Sequence, residues 1–151
     1  MSAQKTYWIQ KFKFDCVRES SYNVPRSVMA NRSDATAFVR WYLKDKALEQ
    51  VCIIALDSGN RIIGFQSTEG SPNQCAVYPQ NVFRFLLGCG AAGCVLAHNH
   101  PGGNTGPSKA DWMITERVFR IGKDLDIPLL DHLLITDDQS VSLRELGQWP
   151  G

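Results

Sequence analysis

Short apolar blocks alternate with turn-forming residues along this chain, and the blocks have two periods. Val51-Cys52-Ile53-Ile54-Ala55-Leu56 and Cys94-Val95-Leu96-Ala97-His98 are near-continuous apolar runs of strand length. The second is apolar on both faces, which predicts a central strand. Arg61 to Gln66, with Ile62, Ile63 and Phe65, reads as a hairpin partner of the first across the turn Asp57-Ser58-Gly59-Asn60. Pro128 to Ile135 predicts a further strand, and Ser140-Val141-Ser142-Leu143 its hairpin partner. Tyr7 to Phe14 alternates in part and predicts an N-terminal strand, followed by a loop over 20–26. Helical spacing appears at Ala37, Phe38, Trp41 and Tyr42, with Ser33 as the expected cap and an end near Lys44-Asp45-Lys46. Glu69 to Asn73 predicts a turn and Ala76-Val77-Tyr78 a short extended piece. Pro79 suits the first turn of a helix over Gln80 to Leu87. A long helix is predicted from Ser108 to about Leu125. Strands and helices in this order predict a single α/β domain over 1–151, a mixed β-sheet flanked by helices, with its core at about 25–147 and 1–24 as an N-terminal strand and loop.

Composition narrows the function classes. The chain has 151 residues, 44% hydrophobic and 21% charged, enough for one ordinary globular core. With 16 basic and 15 acidic residues the net charge is +1, and no basic stripe marks a nucleic-acid surface. The N-terminal cations Lys5, Lys11, Lys13, Arg18 and Arg26 are interleaved with apolar residues and read as a solvated face. The five cysteines form no CxxC pair, and Cys52 and Cys94 sit inside apolar runs, so reduced thiols are expected. Residues 1–15 are mixed and charged, unlike a secretory signal, and no apolar stretch approaches the ~20 residues of a membrane span. A cytoplasmic protein with no membrane association is the expectation.

The candidate chemistry is concentrated. Two of the three histidines lie in His98-Asn99-His100, at the end of the predicted central strand. Strand side chains alternate, so residues two apart share a face and can chelate one ion. The loop Pro101-Gly102-Gly103-Asn104-Thr105-Gly106-Pro107 can fold back tightly and bring Asp111, in the first turn of the next helix, beside the strand end. Two imidazoles and one carboxylate leave a fourth position open for water, the usual pattern of a catalytic zinc site. The same ligand types admit iron, manganese or cobalt. Ser108-x-x-Asp111 also satisfies a variant capping box, and the two roles are compatible. A cupin site would need a Glu where Asn104 and Thr105 stand. A metallo-β-lactamase site would need Asp and His where Pro101-Gly102-Gly103 stand. The adjacent letters of His98-Asn99-His100 are not the dispersed motif of an HNH nuclease.

The string His98-Asn99-His100-Pro101-x-Gly103-x-x-x-Pro107-Ser108-x-x-Asp111 resembles the JAMM motif of JAB/MPN domains, and more specifically the RadC branch. Leu56-Asp57-x-x-Asn60, Tyr78-Pro79 and Leu130-Asp131-His132-Leu133-Leu134-Ile135 are similar to further RadC segments, so the likeness covers about 47–147. It implies a cytidine-deaminase-like α/β fold and one zinc ion per chain on His98, His100 and Asp111. It also implies an upstream Glu as general acid/base. Glu49, just before an apolar strand, fits that place better than Glu69, which falls in a predicted turn. The resemblance gives Ser108 a role in stabilising an oxyanion. Asp131 and His132 are expected to hydrogen-bond behind the ligands. The implied activity is metal-dependent cleavage of a peptide or isopeptide bond in a peptide or protein substrate. The alternatives are a non-catalytic JAB-like scaffold, or a nucleic-acid-processing protein of the DNA-repair kind the RadC name suggests, which the charge does not favour. Gly102 departs from the Ser usual in RadC. The helix-hairpin-helix domain common in RadC proteins is not expected in a chain this short, which reads as the stand-alone form. Exposed hairpin edges allow a homodimer.

Overall fold

The computed structural model describes residues 10, 11, 13, 22–24, 27–69 and 77–151. The strand expected at 7–14 lies almost wholly outside them, as do most of the loop over 20–26, the turn beyond Glu69, and Ala76.

Among the described residues, five strands form one mixed sheet: β1 (Gln50–Leu56), β2 (Ile62–Glu69), β3 (Gly93–Asn99), β4 (Leu129–Ile135) and β5 (Ser140–Ser142). Their order is β2-β1-β3-β4-β5. Only β3 and β4 run parallel, joined by the crossover helix α3 (Lys109–Asp124); the other neighbours are antiparallel. The fully buried run Gly93–Asn99 is the middle strand, as its two-sided apolarity requires.

Alternation along β1 and β3 divides the core into two layers. Cys52, Ile54, Leu56, Val95 and Ala97 pack against Phe38, Val39 and Leu43 of α1 (Arg32–Leu43). Ile53, Ala55, Cys94 and Leu96 face the other way, onto Val82, Phe83 and Leu86 of α2 (Pro79–Gly88) and Val118 of α3. Even-numbered β3 residues therefore point to the α2/α3 side, and His98 is one of them.

Several boundaries differ from expectation for local reasons. Asn31, not Ser33, caps α1: it has extended backbone and its side chain accepts the Asp34 N–H at 3.0 Å. Ser33 falls inside the first turn. The strand expected over Arg61 to Gln66 continues to Glu69, because every residue from Gln50 to Ala55 on β1 has a partner there. Leu143 leaves β5 and starts a 3-10 turn over Leu143–Leu146. The turn at Asp57 forms as its chemistry dictates. Asp57 Oδ1 accepts the Gly59 and Arg61 N–H groups at 2.8 and 2.9 Å, and Asn60 takes φ +58°.

Candidate metal centre

Sheet register alone assembles half of the site. In the antiparallel pairing of β1 with β3, Val51 lies opposite His98 and Cys52 opposite Ala97. Two residues further along the same register, just beyond the paired strands, Glu49 comes opposite His100. Alternation puts Glu49, His98 and His100 on one face, the α2/α3 side. His98 is 1% exposed, whereas the His100 and Glu49 side chains are 15% and 19% exposed, so the group opens from a buried floor to a partly solvated rim.

The loop brings in the third group. The His100 N–H bonds Ile135 O at 2.8 Å, so β3 is held to β4 up to the bend. Gly103 then takes φ +77°, a conformation that strains any side-chain-bearing residue, and its N–H closes a turn on His100 O at 3.0 Å. Ser108 begins α3 with a full capping box. Its Oγ accepts the Asp111 N–H at 3.1 Å, and Asp111 Oδ2 accepts the Ser108 N–H at 2.7 Å. The cap fixes the Asp111 carboxylate where it also meets both imidazoles: Oδ1 is 3.3 Å from His98 Nε2, and Oδ2 is 3.6 Å from His100 Nε2. Glu49 Oε1 lies 3.7 Å from His100 Nε2. One ligand atom from each of Glu49, His98, His100 and Asp111 falls within 4.8 Å of the others.

Hydrogen bonding decides which faces of the rings meet. His100 Nδ1 is 2.7 Å from the Asn104 carbonyl, which only accepts, so Nδ1 carries a proton and, in the neutral ring, Nε2 presents a lone pair. His98 Nε2 stands 2.8 Å from His100 Nε2, while its Nδ1 is 2.8 Å from His132 Nε2 on the far side. Two ring nitrogens and the Asp111 carboxylate oxygens are thus gathered around one point, where they share protons or can hold a cation. The separations of 2.8 to 3.6 Å are close to the about 3.3 Å between ligand atoms of a tetrahedral ion bound at about 2.0 Å. The residues therefore fit a divalent ion.

The titration of the groups follows from the same contacts. The Asp111 hydrogen bond raises the pKa of His100, against the effect of burial. Burial opposes ionisation of Asp111, but the bonds from His100 and His98 outweigh it and hold the carboxyl well below the usual carboxylate range. Burial, reinforced by His98, drives His132 well below its ordinary value, so it stays neutral.

All five residues expected at the site from the sequence lie together here, counting Ser108 as the exposed cap next to it. Of the two residues expected behind the ligands, His132 bonds His98 and Asp131 does not bond any ligand. Alternation along β4 turns Asp131 away. Its carboxylate instead takes the Ser142 hydroxyl at 2.7 and 2.9 Å and the His132 backbone N–H at 2.7 Å, tying β4 to β5. The rival Glu69 ends β2 and pairs in register with Gln50, one strand further from β3 than the residues of β1.

Two residues at the site went unread in the sequence. Thr115 donates its hydroxyl to Asp111 O at 2.6 Å and sits 2.7 Å from His132 Nδ1. Its place four residues after Asp111, one helical turn on, was the available signal. Asn99, between the two histidines, points to the α1 side. Its Oδ1 accepts the Gln50 N–H at 2.7 Å, and its Nδ2 donates to Lys46 O and Leu48 O at 3.2 and 3.0 Å.

Residues 29–148 match the RadC-like JAB domain. Among curated proteins, the chain is 37% identical over 132 residues to UPF0758 proteins of Shewanella pealeana and Shewanella halifaxensis, and 35% identical over 132 residues to one from Shewanella baltica. Each alignment covers 86% of this chain and 59% of the relative, so the chain spans about three fifths of the length of these proteins.

Proposed function

This chain belongs to the RadC-like JAB domain family, and on that premise we propose that it is a zinc-dependent hydrolase of JAMM type that cleaves a peptide or isopeptide bond. The observation that carries the reading is the convergence of the His98 and His100 Nε2 atoms with the Asp111 carboxylate, with a further carboxylate, Glu49, at the rim. His98, His100 and Asp111 hold the ion, and their neutral nitrogen and carboxylate donors suit zinc. When bound, it supplies Lewis acidity and lowers the pKa of a water towards ~7.

The chain's own residues do the rest. Glu49, partly exposed and not a ligand in this reading, takes a proton from the attacking water and passes it to the leaving amine. The Ser108 hydroxyl accepts a backbone N–H through its oxygen and so keeps its proton to donate to an oxyanion. A donor of that kind contributes about 3 kcal/mol to transition-state stabilisation. The exposed Gly/Pro loop 101–107 borders the site and shapes access for a peptide or protein substrate.

The test joins metal content to turnover. Protein purified without added metal is measured by mass spectrometry and then screened against peptide and isopeptide substrates, with and without a chelator. Wild type should carry about one zinc per chain and lose activity on chelation. His98→Ala should lose both metal and activity, and Glu49→Gln should lose activity alone. Failure of wild type to take up any divalent ion would sink the proposal. Full metal loading with no hydrolysis of any peptide or isopeptide would leave a non-catalytic interaction module.

A further inference from the structure

The loop after His100 holds the imidazole by one backbone contact, and that contact is itself held by a side chain with no part in the proposed chemistry. The carbonyl of Asn104 accepts from His100 Nδ1 at 2.7 Å. It belongs to an exposed stretch without regular structure, in which Asn104 stands between Gly103 and Gly106, so packing does not fix its direction. Two hydrogen bonds do. Upstream, the Gly103 N–H closes a turn on His100 O at 3.0 Å. Downstream, the Asn104 side-chain oxygen accepts the Gly106 N–H, two residues on, at 2.9 Å. The covalent ring closed by this second bond contains the peptide between residues 104 and 105. The bond therefore fixes the torsion that decides where the Asn104 carbonyl points.

We infer that Asn104 is a positioning residue for His100: its side-chain amide locks its own carbonyl, and the carbonyl sets the orientation of the His100 ring. In that orientation His100 Nε2 stands 2.8 Å from His98 Nε2 and 3.6 Å from Asp111 Oδ2. The purpose of the lock rests on the metal-site reading above; the lock itself does not. Without it, a partly exposed ring on a glycine-flanked loop is free to turn about its Cβ–Cγ bond, and Nε2 leaves the group. The donor end of the lock is matched to the acceptor. A Cβ on Gly106 would stand 3.3 Å from Asn104 Oδ1, so a larger residue there presses on the same bond.

The bond can be broken from either end. Asn104→Leu keeps the bulk of the side chain and removes the acceptor, whereas Asn104→Asp restores it. Gly106→Ala crowds the acceptor from the donor side. These positions lie in an exposed loop outside the core, and circular dichroism checks that the variants fold.

Zinc affinity by competition titration should fall about 10-fold in Asn104→Leu. It should return to the wild-type value or above in Asn104→Asp, whose charge also favours a cation. Gly106→Ala should weaken binding in the same direction and add nothing to Asn104→Leu, because both break one bond. In metal-free protein, nuclear Overhauser contacts between the His100 ring and residues 103–106 should be present in wild type and Asn104→Asp and lost in Asn104→Leu. The Gly106 amide of wild type should be protected from hydrogen exchange. An unprotected wild-type Gly106 amide overturns the inference without any substitution. So does Asn104→Leu with unchanged ring contacts, an affinity loss that Asn104→Asp fails to recover, or full additivity of Asn104→Leu with Gly106→Ala. A wild type that takes up no zinc overturns the metal-site reading, and the ring contacts of the metal-free variants then decide whether Asn104 orients His100.

Discussion

Asn99 accepts the backbone N–H of Gln50 through its side-chain oxygen at 2.7 Å, and so the residue between the two histidines holds the start of the strand that follows Glu49. The same amide donates to the carbonyls of Lys46 and Leu48. Asn99 points to the α1 side while its neighbours point to the site, and it clamps the segment 46–50 against β3. Glu49 has no regular structure of its own to fix it, since β1 begins one residue later. The His-Asn-His triplet thus provides two imidazoles on one face and the anchor for the candidate base on the other.

Asn99→Ala should leave the imidazoles and metal content intact, strand the buried Gln50 N–H, and cost about 1–3 kcal/mol of stability in urea unfolding. With Glu49 no longer held, turnover should fall by about 10²-fold at unchanged zinc content. Wild-type turnover in Asn99→Ala would show that Glu49 is positioned without the clamp.

Asp111 serves two ends, a helix cap and a metal-binding carboxylate, and these should separate by mutation. Ser108→Ala removes the cap hydroxyl and should cost about 1 kcal/mol in thermal unfolding while zinc stays bound. Asp111→Asn keeps an oxygen to accept the Ser108 N–H, so the start of α3 should persist by circular dichroism, but zinc affinity should collapse. Equal zinc retention in both variants would mean that Asp111 is a cap alone.

A tight backbone approach lies near the other end of α3 from Asp111. A Cβ on Gly122 would stand 2.4 Å from the carbonyl oxygen of Ile127, whose N–H in turn bonds Gly122 O at 2.8 Å. The end of α3 and the turn into β4 share this contact, and backbone on both sides leaves nothing flexible to yield. Gly122→Ala should destabilise by about 1–3 kcal/mol, measured by denaturant midpoint. An unchanged midpoint would contradict the packing.

The buried thiols set an alkaline limit. Burial raises the pKa of Cys94 to about 12 and that of Cys52 further still. Their folded values exceed the unfolded value of ~8.5, so the stability they contribute is complete below that pH and is lost as pH rises from there towards 12. Stability should therefore fall above about pH 8.5, and Cys52→Ala with Cys94→Ala should flatten that fall even though the variant starts less stable. At pH 8.0, alkylation followed by peptide mass spectrometry should leave both thiols unlabelled in folded protein and label both after unfolding.

The sequence by itself determined which local elements form and which side chains can bind an ion. Two-sided apolarity made residues 93–99 central, and alternation put His98 and His100 on one face. The Gly/Pro loop and the Ser108-x-x-Asp111 cap delivered a carboxylate, because capping geometry is local and contained in four residues. Glu49 was legible only through the family resemblance. What places it beside His100 is the β1–β3 register, set by burial across many residue pairs rather than by any residue near Glu49. Tertiary structure alone decided the roles of Asn99, Thr115 and Asp131. Asn99 reaches the residues 46–50 across a gap of about fifty positions, and the Thr115–His132–His98 line joins a helix and two strands. Asp131 and His132 are neighbours in the chain, yet strand alternation sends one to β5 and the other to the site. Contacts of that kind are set by which faces pack together, and no local pattern of residues encodes them.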